Sequence, residues 1–492
     1  MWVTIRQTSL QRIPALLKKA FFSNSSGILC SRIFGFFRDV YMASSLGAGV
    51  YSDIFFIAFK LPNLFRRIFG EGAFTQSFLP SFIHARYKGM FALSIGGIFC
   101  FCLLFLSLVV FYFSPFFTKL LAFGFPQETI DLAAPIVSIN FWYLLLVFIV
   151  TFLSTLLQYK NVFWVNAYNT ALLNIAMILA LTFSQDRDKL EVVYMLSYGV
   201  LCGGIAQILL HLYPLYRHGF LRLFWLSMLH CKVFQTTLNK KNKFKSDFKD
   251  FFKQFFPALL GSSTAQLIAF IETFIASFLS FGSISYLYYA NRIFQLPLAL
   301  FAIAISTALF PMVAKAIKAS QEQKALEAMK KAFWFLCITL CACTLGGIML
   351  SKEIIWLLYQ RGSFSAQDTL ITSQVFALYL IGLLPFGLSR IFSLWLYSHR
   401  LQGRAAKYSL ISLICGTFFS FVLIKPLGVL GLALSSSIAG FILLILNAYA
   451  LGAKNFFCII LHKNAAILLV GILICETALL YGIKLLLEGY IL

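Results

Sequence analysis

The sequence predicts an all-α, polytopic membrane protein: two six-helix pseudo-repeats around a central cavity, followed by a C-terminal helical extension. Three observations predict it. Of 492 residues, 60% are hydrophobic and only 12% are charged, with a mean hydropathy of +0.87. Apolar runs of about 20 residues, each long enough to cross a bilayer, recur along the whole chain. A weak internal repeat relates the two halves. The runs must be helices, because in lipid each backbone amide has to be bonded within its own segment.

Thirteen spans follow in order: 24–46, 51–83, 91–117, 132–157, 162–184, 192–215, 254–281, 284–313, 332–350, 370–397, 405–424, 428–451 and 464–487. The formal charge of +23 falls mainly in the loops after even-numbered spans: Arg86 and Lys88, Lys160, Lys232 to Lys253, Lys315 to Lys331, Arg400 to Lys407, and Lys454 with Lys463. Loops after odd-numbered spans are neutral or mixed, as at 46–50 and 186–191. Cationic loops stay in the cytoplasm, so the N-terminus and every even-side loop are expected there. The predicted divisions are a basic flank at 1–23, an N-terminal lobe at 24–216, a basic cytoplasmic linker at 217–253, a C-terminal lobe at 254–451 and a membrane extension at 452–492. No cleavable signal peptide is read in the flank.

The repeat has an offset of 235. Gly47 and Pro62 match Gly282 and Pro297, with leucine before each proline and a short neutral hairpin at each glycine. Both halves start in the cytoplasm. The repeat is therefore parallel, related by an axis along the membrane normal, and a cargo site is expected between the halves.

Charges within the apolar runs point to that cargo. The segment from Ser31 to Pro80 carries Arg32, Arg38, Asp39, Asp53, Lys60, Arg66, Arg67 and Glu71. A charge at the bilayer centre costs at least about 2.5–3.5 kcal/mol, so these groups must face a wet cavity or each other. In an ideal helix Arg32 and Asp39 share a face, and so do Asp53, Lys60, Arg67 and Glu71. Arg66 points elsewhere unless Pro62 alters the register. One reading is salt bridges that pin helices together. The other is anion binding by Arg38, by Arg66 or Arg67, and by Arg292, because nearby carboxylates are too few to neutralise them all. An arginine fork grips phosphate oxygens bidentately and cannot be titrated away. On this reading the arginines hold cargo more than they hold helices.

The stretches SRIFGFFRD, GAGVYSDIFFIAFKLPNLFRRIFGEGAFTQSFLP and SFLSFGSISYLYYANRIFQLP resemble the MurJ/MviN lipid II flippases of bacteria, over residues 24–450. That family lies in the superfamily of multidrug and polysaccharide-lipid exporters. The resemblance implies movement of lipid II, the undecaprenyl-diphosphate-linked peptidoglycan precursor, across the bacterial cytoplasmic (inner) membrane by alternating access. It implies that Arg38, Arg66 and Arg292 hold the diphosphate, favouring Arg66 over Arg67. Arg32, Asp53 and Glu71 become gate and cavity residues, with Asp39, Lys60, Arg67 and Glu272 as further candidates. Asp53 is expected to meet Tyr288, its repeat counterpart, when the outer gate is shut.

The chain departs from the family in three places. Asn291 stands where the family usually has Asp before the arginine. One span, not two, is legible after Lys463. Glu272 in the seventh span has no acidic partner in the eleventh, where some members bind sodium. Glu272 is thus either an ion-coupling group or a protonated core residue.

Other classes fare less well. A related exporter of drugs or of another lipid-linked sugar would share the fold without needing three cavity arginines. A polyprenyl-phosphate enzyme would need clustered carboxylates for a metal, and the nearest candidates are Asp186 with Asp188, beside Arg187 and Lys189. A catalytic role is not expected. Neither is nucleic-acid binding, since no polar domain is present to carry it. The eleven cysteines lie almost wholly in apolar runs without a C-x-x-C pair, and read as small buried hydrophobes. No cofactor or metal is expected, and no Gly-rich phosphate loop is present. The drive is left to the membrane potential or a monovalent cation, and the protein is expected to act as a monomer among membrane lipids.

Overall fold

The structure, a computed structural model, describes residues 26–70, 73–229 and 238–491, without the side chains of 67–70, 238–243, 260–269 and 485–491. No β-strand occurs among the described residues. Ten helical stretches among them are long and apolar enough to cross a membrane. The other three expected spans lie on helix 26–46, on Val50–Gly70 with Ala73–His84, and on Leu238–Ala276. In the first two, the charges named above interrupt the apolar run. The basic flank at 1–23 lies outside the described residues.

The chain forms two compact units. The first comprises Met1–Leu46 and Val50–Phe270; the second comprises Gly47–Gly49 and Ile271–Leu492. The sequence places the lobe boundary after residue 253, but the helix Leu238–Ala276 runs through that point without a break. The expected linker is also largely helical, containing Phe220–Leu229 and the first turns of that long helix. Its side-chain pattern explains this. Lys245, Lys249 and Lys253 recur every four residues on an exposed stripe, while Phe251 and Phe255 are buried. The helix is therefore amphipathic along the very stretch that the charge run suggested was a loop.

Phenylalanine rings build the core that receives it. Phe74 stacks on Phe78 at 5.1 Å and meets Phe148 edge-on at 5.1 Å. Phe99 stacks on Phe148 at 5.3 Å, and Phe251 packs against Phe74, Phe78, Phe91 and Phe99 at 6.2–6.4 Å. Edge-to-face and offset ring pairs add about 0.5–1.5 kcal/mol each beyond their buried area. Elsewhere in the first unit, small residues bring backbones close. Gly199 and Gly203 of Lys189–Arg217 lie against Ala180 and Leu173 of Trp164–Thr182, a packing suited to lipid, where water does not drive helices together.

In the second unit, hydroxyl groups tie the helices. Ser412 donates to the Ala439 carbonyl at 2.7 Å, Ser420 bonds Ser435 at 2.7 Å, and Ser437 donates to the Leu378 carbonyl at 2.6 Å. Ser365 and Asp368 form a reciprocal capping box at the start of Ala366–Ile381, and Asp368 also accepts from the Tyr286 hydroxyl at 2.9 Å. The two related prolines behave differently. Val50–Gly70 continues as α-helix through Pro62, whereas Pro297 is followed by a π-helical turn at Leu298–Ile303. The pseudo-repeat is thus not exact at its most recognisable residues. One membrane-length helix, Lys463–Ile491, follows the short helix Ala453–Ile460.

Both repeat glycines have a steric reason. Gly47 has φ +69 and Gly282 has φ +92, in the left-handed region that favours glycine. A Cβ on Gly282 would also lie 2.7 Å from the Ala48 carbonyl oxygen, and one on Gly47 would strike the Ser363 carbonyl. Gly282→Ala is accordingly expected to destabilise the second unit by about 1–2 kcal/mol or more. A lowered thermal midpoint in detergent checks this; an unchanged midpoint would refute the steric argument.

Candidate functional site

In the first unit, Arg38 is the best-defined intramembrane charge. It lies on helix 26–46 with only 7% of its surface exposed, and Asp39 beside it is fully buried. Arg38 donates through Nε and Nη2 to Asp39 Oδ1 at 3.0 and 2.5 Å. Its Nη1 donates to Asn174 Oδ1 at 2.9 Å, and Asn174 Nδ2 donates to the Ser31 carbonyl at 3.1 Å. Arg38 thereby anchors helix 26–46 to Trp164–Thr182. The salt bridge between Arg32 and Asp39 that their shared helical face allows is not formed. Arg32 is exposed, and Asp39 is taken by the adjacent arginine. Seven-residue spacing gave the shared face but not the nearer partner.

Asp53 is buried in the first turn of Val50–Gly70. There the partial positive charge of the helix N-terminus favours a carboxylate. Lys60 and Arg66 are half-buried further along the same helix. Arg66 Nε donates to Asn63 Oδ1 at 3.1 Å, one turn back. Arg66 also lies within electrostatic reach of Tyr143. The Tyr143 hydroxyl donates to Gln207 Oε1 at 3.3 Å, and Gln207 Nε2 donates to the Asn169 carbonyl at 3.0 Å. Arg67 lies on the same helix, but its side chain, like the whole of Glu71, falls outside the described residues.

A further polar group was missed by reasoning from charge alone. His211 is fully buried, with Nε2 2.7 Å from Ser154 Oγ and Nδ1 2.7 Å from the Gln207 carbonyl. Asn166 Oδ1 lies 3.2 Å from the same Ser154 hydroxyl. Gln207 and His211 are four apart, so they share a face of Lys189–Arg217. Polar residues at helical spacing inside apolar runs were the available signal, and the same signal marks Asn174.

In the second unit, Arg292 is half-buried on Ser283–Pro297, and Tyr288 lies on the same helix. Asn291, which stands where a carboxylate was expected, accepts from Gln295 and hydrogen-bonds with Tyr379. Glu272 interacts electrostatically with the same Tyr379, which is buried. Glu272, Asn291 and Tyr379 thus form one polar cluster. Among the described residues no group of three or more His, Cys, Asp or Glu side chains is placed to hold a metal ion. Arg187, near the paired aspartates at 186 and 188, is in an exposed ion pair with Glu191 at 3.3 Å.

The family described as "Lipid II flippase MurJ" matches residues 42–492. The chain belongs to the MurJ family. A "Probable lipid II flippase MurJ" of Helicobacter pylori (strain ATCC 700392 / 26695) is 56% identical over 445 residues, covering 90% of this chain and 96% of that protein. One from Buchnera aphidicola subsp. Acyrthosiphon pisum is 32% identical, covering 87% and 82%. Among solved structures, a "Lipid II flippase MurJ, inward closed conformation" matches with a TM-score of 0.76 at 26% identity, covering 95% of this chain and 99% of that one. An inward-facing multidrug resistance MATE family transporter of the MOP superfamily matches with a TM-score of 0.66 at 14% identity, covering 87% and 95%, which shows a shared fold. The MurJ assignment takes in the helices that carry Asp53, Arg66, Glu272 and Arg292; Arg38 and Arg32 precede the matched range.

Proposed function

We propose that this protein is a lipid II flippase, carrying the lipid-linked peptidoglycan precursor from the cytoplasmic to the outer leaflet of the bacterial cytoplasmic membrane by alternating access. The observation that carries the reading is the match to the MurJ family along residues 42–492, with 56% identity to a relative of nearly the same extent. The fold shared with MATE transporters at 14% identity speaks for membrane transport in general and not for drugs as cargo.

The cargo chemistry fits the residues. A diphosphate is doubly acceptor-rich, and Arg66 and Arg292 are half-buried cations in apolar helices. Arginine meets phosphate with paired N–H donors in a fixed plane. Arg38 adds a third guanidinium, already oriented by Asp39 and Asn174. Binding the anion offsets the cost of keeping a half-buried arginine charge such as that of Arg66 in an apolar helix. Asp53, Arg32 and Glu71 serve the conformational change, with Asp39, Lys60 and Arg67 supporting them. Moving an arginine-rich carrier through the membrane field is worth about 2.3 kcal/mol per charge per 100 mV, so the potential can reset the empty protein. Glu272 is the carboxylate available to a coupling cation. The protein works as a monomer and performs no covalent chemistry on its cargo.

Depletion in the native bacterium is the direct test. Lipid II should accumulate on the inner leaflet while upstream synthesis continues. Accumulation of a different lipid-linked sugar, with lipid II export unchanged, would assign another cargo. Orientation has its own test. In a cysteine-free background, Asn242→Cys should react only with reagents that enter the cytoplasm, and a cysteine at Asp186 only with external ones. The opposite pattern would reverse the topology and the transport direction.

A further inference from the structure

Glu476 sits in the interior of Lys463–Ile491, a helix whose apolar stretch between Lys463 and Lys484 is long enough to cross the membrane. At 1.5 Å per residue it is about 20 Å along the helix from Lys463 and about 12 Å from Lys484. The helix packs beside Glu322–Met349. Just before it, Lys330 Nζ of Glu322–Met349 donates to the Leu461 carbonyl at 2.8 Å and Trp334 Nε1 donates to the Ile459 carbonyl at 3.2 Å. Higher up, Glu476 Oε1 lies 2.9 Å from where a Cβ on Gly346 would stand. Its Oε2 is buried and has no hydrogen-bond partner, and the carboxyl makes no ion pair among the described residues. The ionisable side chain facing it from Glu322–Met349 is Cys343. On its own helix the ionisable neighbours are Cys475, Tyr481 and, two turns on, Lys484.

We infer that Glu476 is a protonated, uncharged carboxyl group seated against Gly346 within the membrane, and that it forms a site for modification by hydrophobic carbodiimides. An ionised carboxylate without a cation, a metal or a full set of donors is strongly disfavoured away from water, whereas the neutral acid is tolerated. The missing side chain at Gly346 gives the carboxyl its room. Its function is separate from cargo recognition: the proton is the ligand, and its loss would drive the charged group away from Glu322–Met349 towards water.

The chemistry follows from the bound proton. The acid O–H adds across one C=N bond of dicyclohexylcarbodiimide. A carboxyl oxygen bonds to the central carbon while the proton passes to the nitrogen. The resulting O-acylisourea rearranges by migration of the acyl group from oxygen to nitrogen, giving a stable N-acylurea with no atom lost and no other reactant consumed. The carboxylate form lacks the proton this addition needs.

The test uses the full-length protein in phosphatidylglycerol–phosphatidylethanolamine vesicles, with peptide mass spectrometry as the readout. Dicyclohexylcarbodiimide, being apolar and so concentrated in the membrane interior, should label Glu476 several-fold faster than a water-soluble carbodiimide, and labelling should fall as pH is raised. Gly346→Ala places a methyl group against the flexible carboxyl tip and should raise the hydrophobic labelling rate several-fold, by displacing the acid towards lipid. Glu476→Gln should abolish the adduct. Equal labelling by both reagents, no adduct at Glu476, or a rate unaffected by pH would each overturn the inference. None of these outcomes bears on whether lipid II is the cargo, which the depletion experiment decides separately.

Discussion

Arg38→Ala is expected to lower the amount of folded protein sharply, and Arg38→Ala combined with Asp39→Asn should recover much of it without recovering transport. Arg38 and Asp39 are an adjacent, buried ion pair, and Asn174 fixes the guanidinium from a second helix. Removing one member of such a pair leaves the other as an uncompensated buried charge, a loss of about 3–5 kcal/mol. Neutralising both removes that penalty but also removes the cation that the cargo needs. Abundance and thermal midpoint in membranes report folding, and lipid II accessibility at the outer surface reports transport. The single variant folding normally would show that Asp39 does not depend on Arg38. The double variant transporting normally would remove Arg38 from the cargo site.

Arg66→Ala and Arg292→Ala should behave in the opposite way, with insertion near normal and transport lost. Arg66 is half-buried and donates to Asn63 one turn back on its own helix, and Arg292 is half-buried on Ser283–Pro297, so both are more exposed than the buried Arg38. Hydrogen bonds to a charged group contribute about 1.5–3 kcal/mol each, so losing one guanidinium contact weakens diphosphate binding roughly ten- to 150-fold. Lysine at either position keeps the charge but not the planar fork, and should restore binding only in part. Binding of lipid II to purified protein, measured beside transport in cells, distinguishes lost affinity from a blocked conformational change. Loss of folded protein in both alanine variants would instead support a purely structural role.

The contrast between Arg38 and the other two arginines lies in their surroundings, not in their local sequence. The intramembrane arginines were legible because a charge in an apolar run has few explanations. The partner of each was not. Arg32 and Asp39 share a helical face, yet Asp39 bonds the arginine next to it, since side-chain reach and the position of Asn174 on another helix decide the geometry. The buried group around His211, Ser154 and Gln207 was hidden for a related reason. Neutral polar side chains scarcely change hydropathy, and only helix packing shows that they meet. That 238–253 is helical is hidden in the sequence because its lysines dominate the pattern, and the inward placement of Phe251 and Phe255 depends on the core that receives them.

The sequence by itself determined the all-helical membrane architecture, because bilayer thickness sets run length and lipid forbids unsatisfied backbone groups. It also determined the family resemblance and the identity of the cationic residues, which long local motifs carry. Tertiary structure alone decided that Arg38 is an anchor between helices, that the long helix Leu238–Ala276 crosses the expected lobe boundary, and that Glu476 lies against Gly346. Each of these depends on which helix faces lie against one another. Spacing along one helix specifies a face, but the neighbour that covers it is fixed only by the packing of the whole unit.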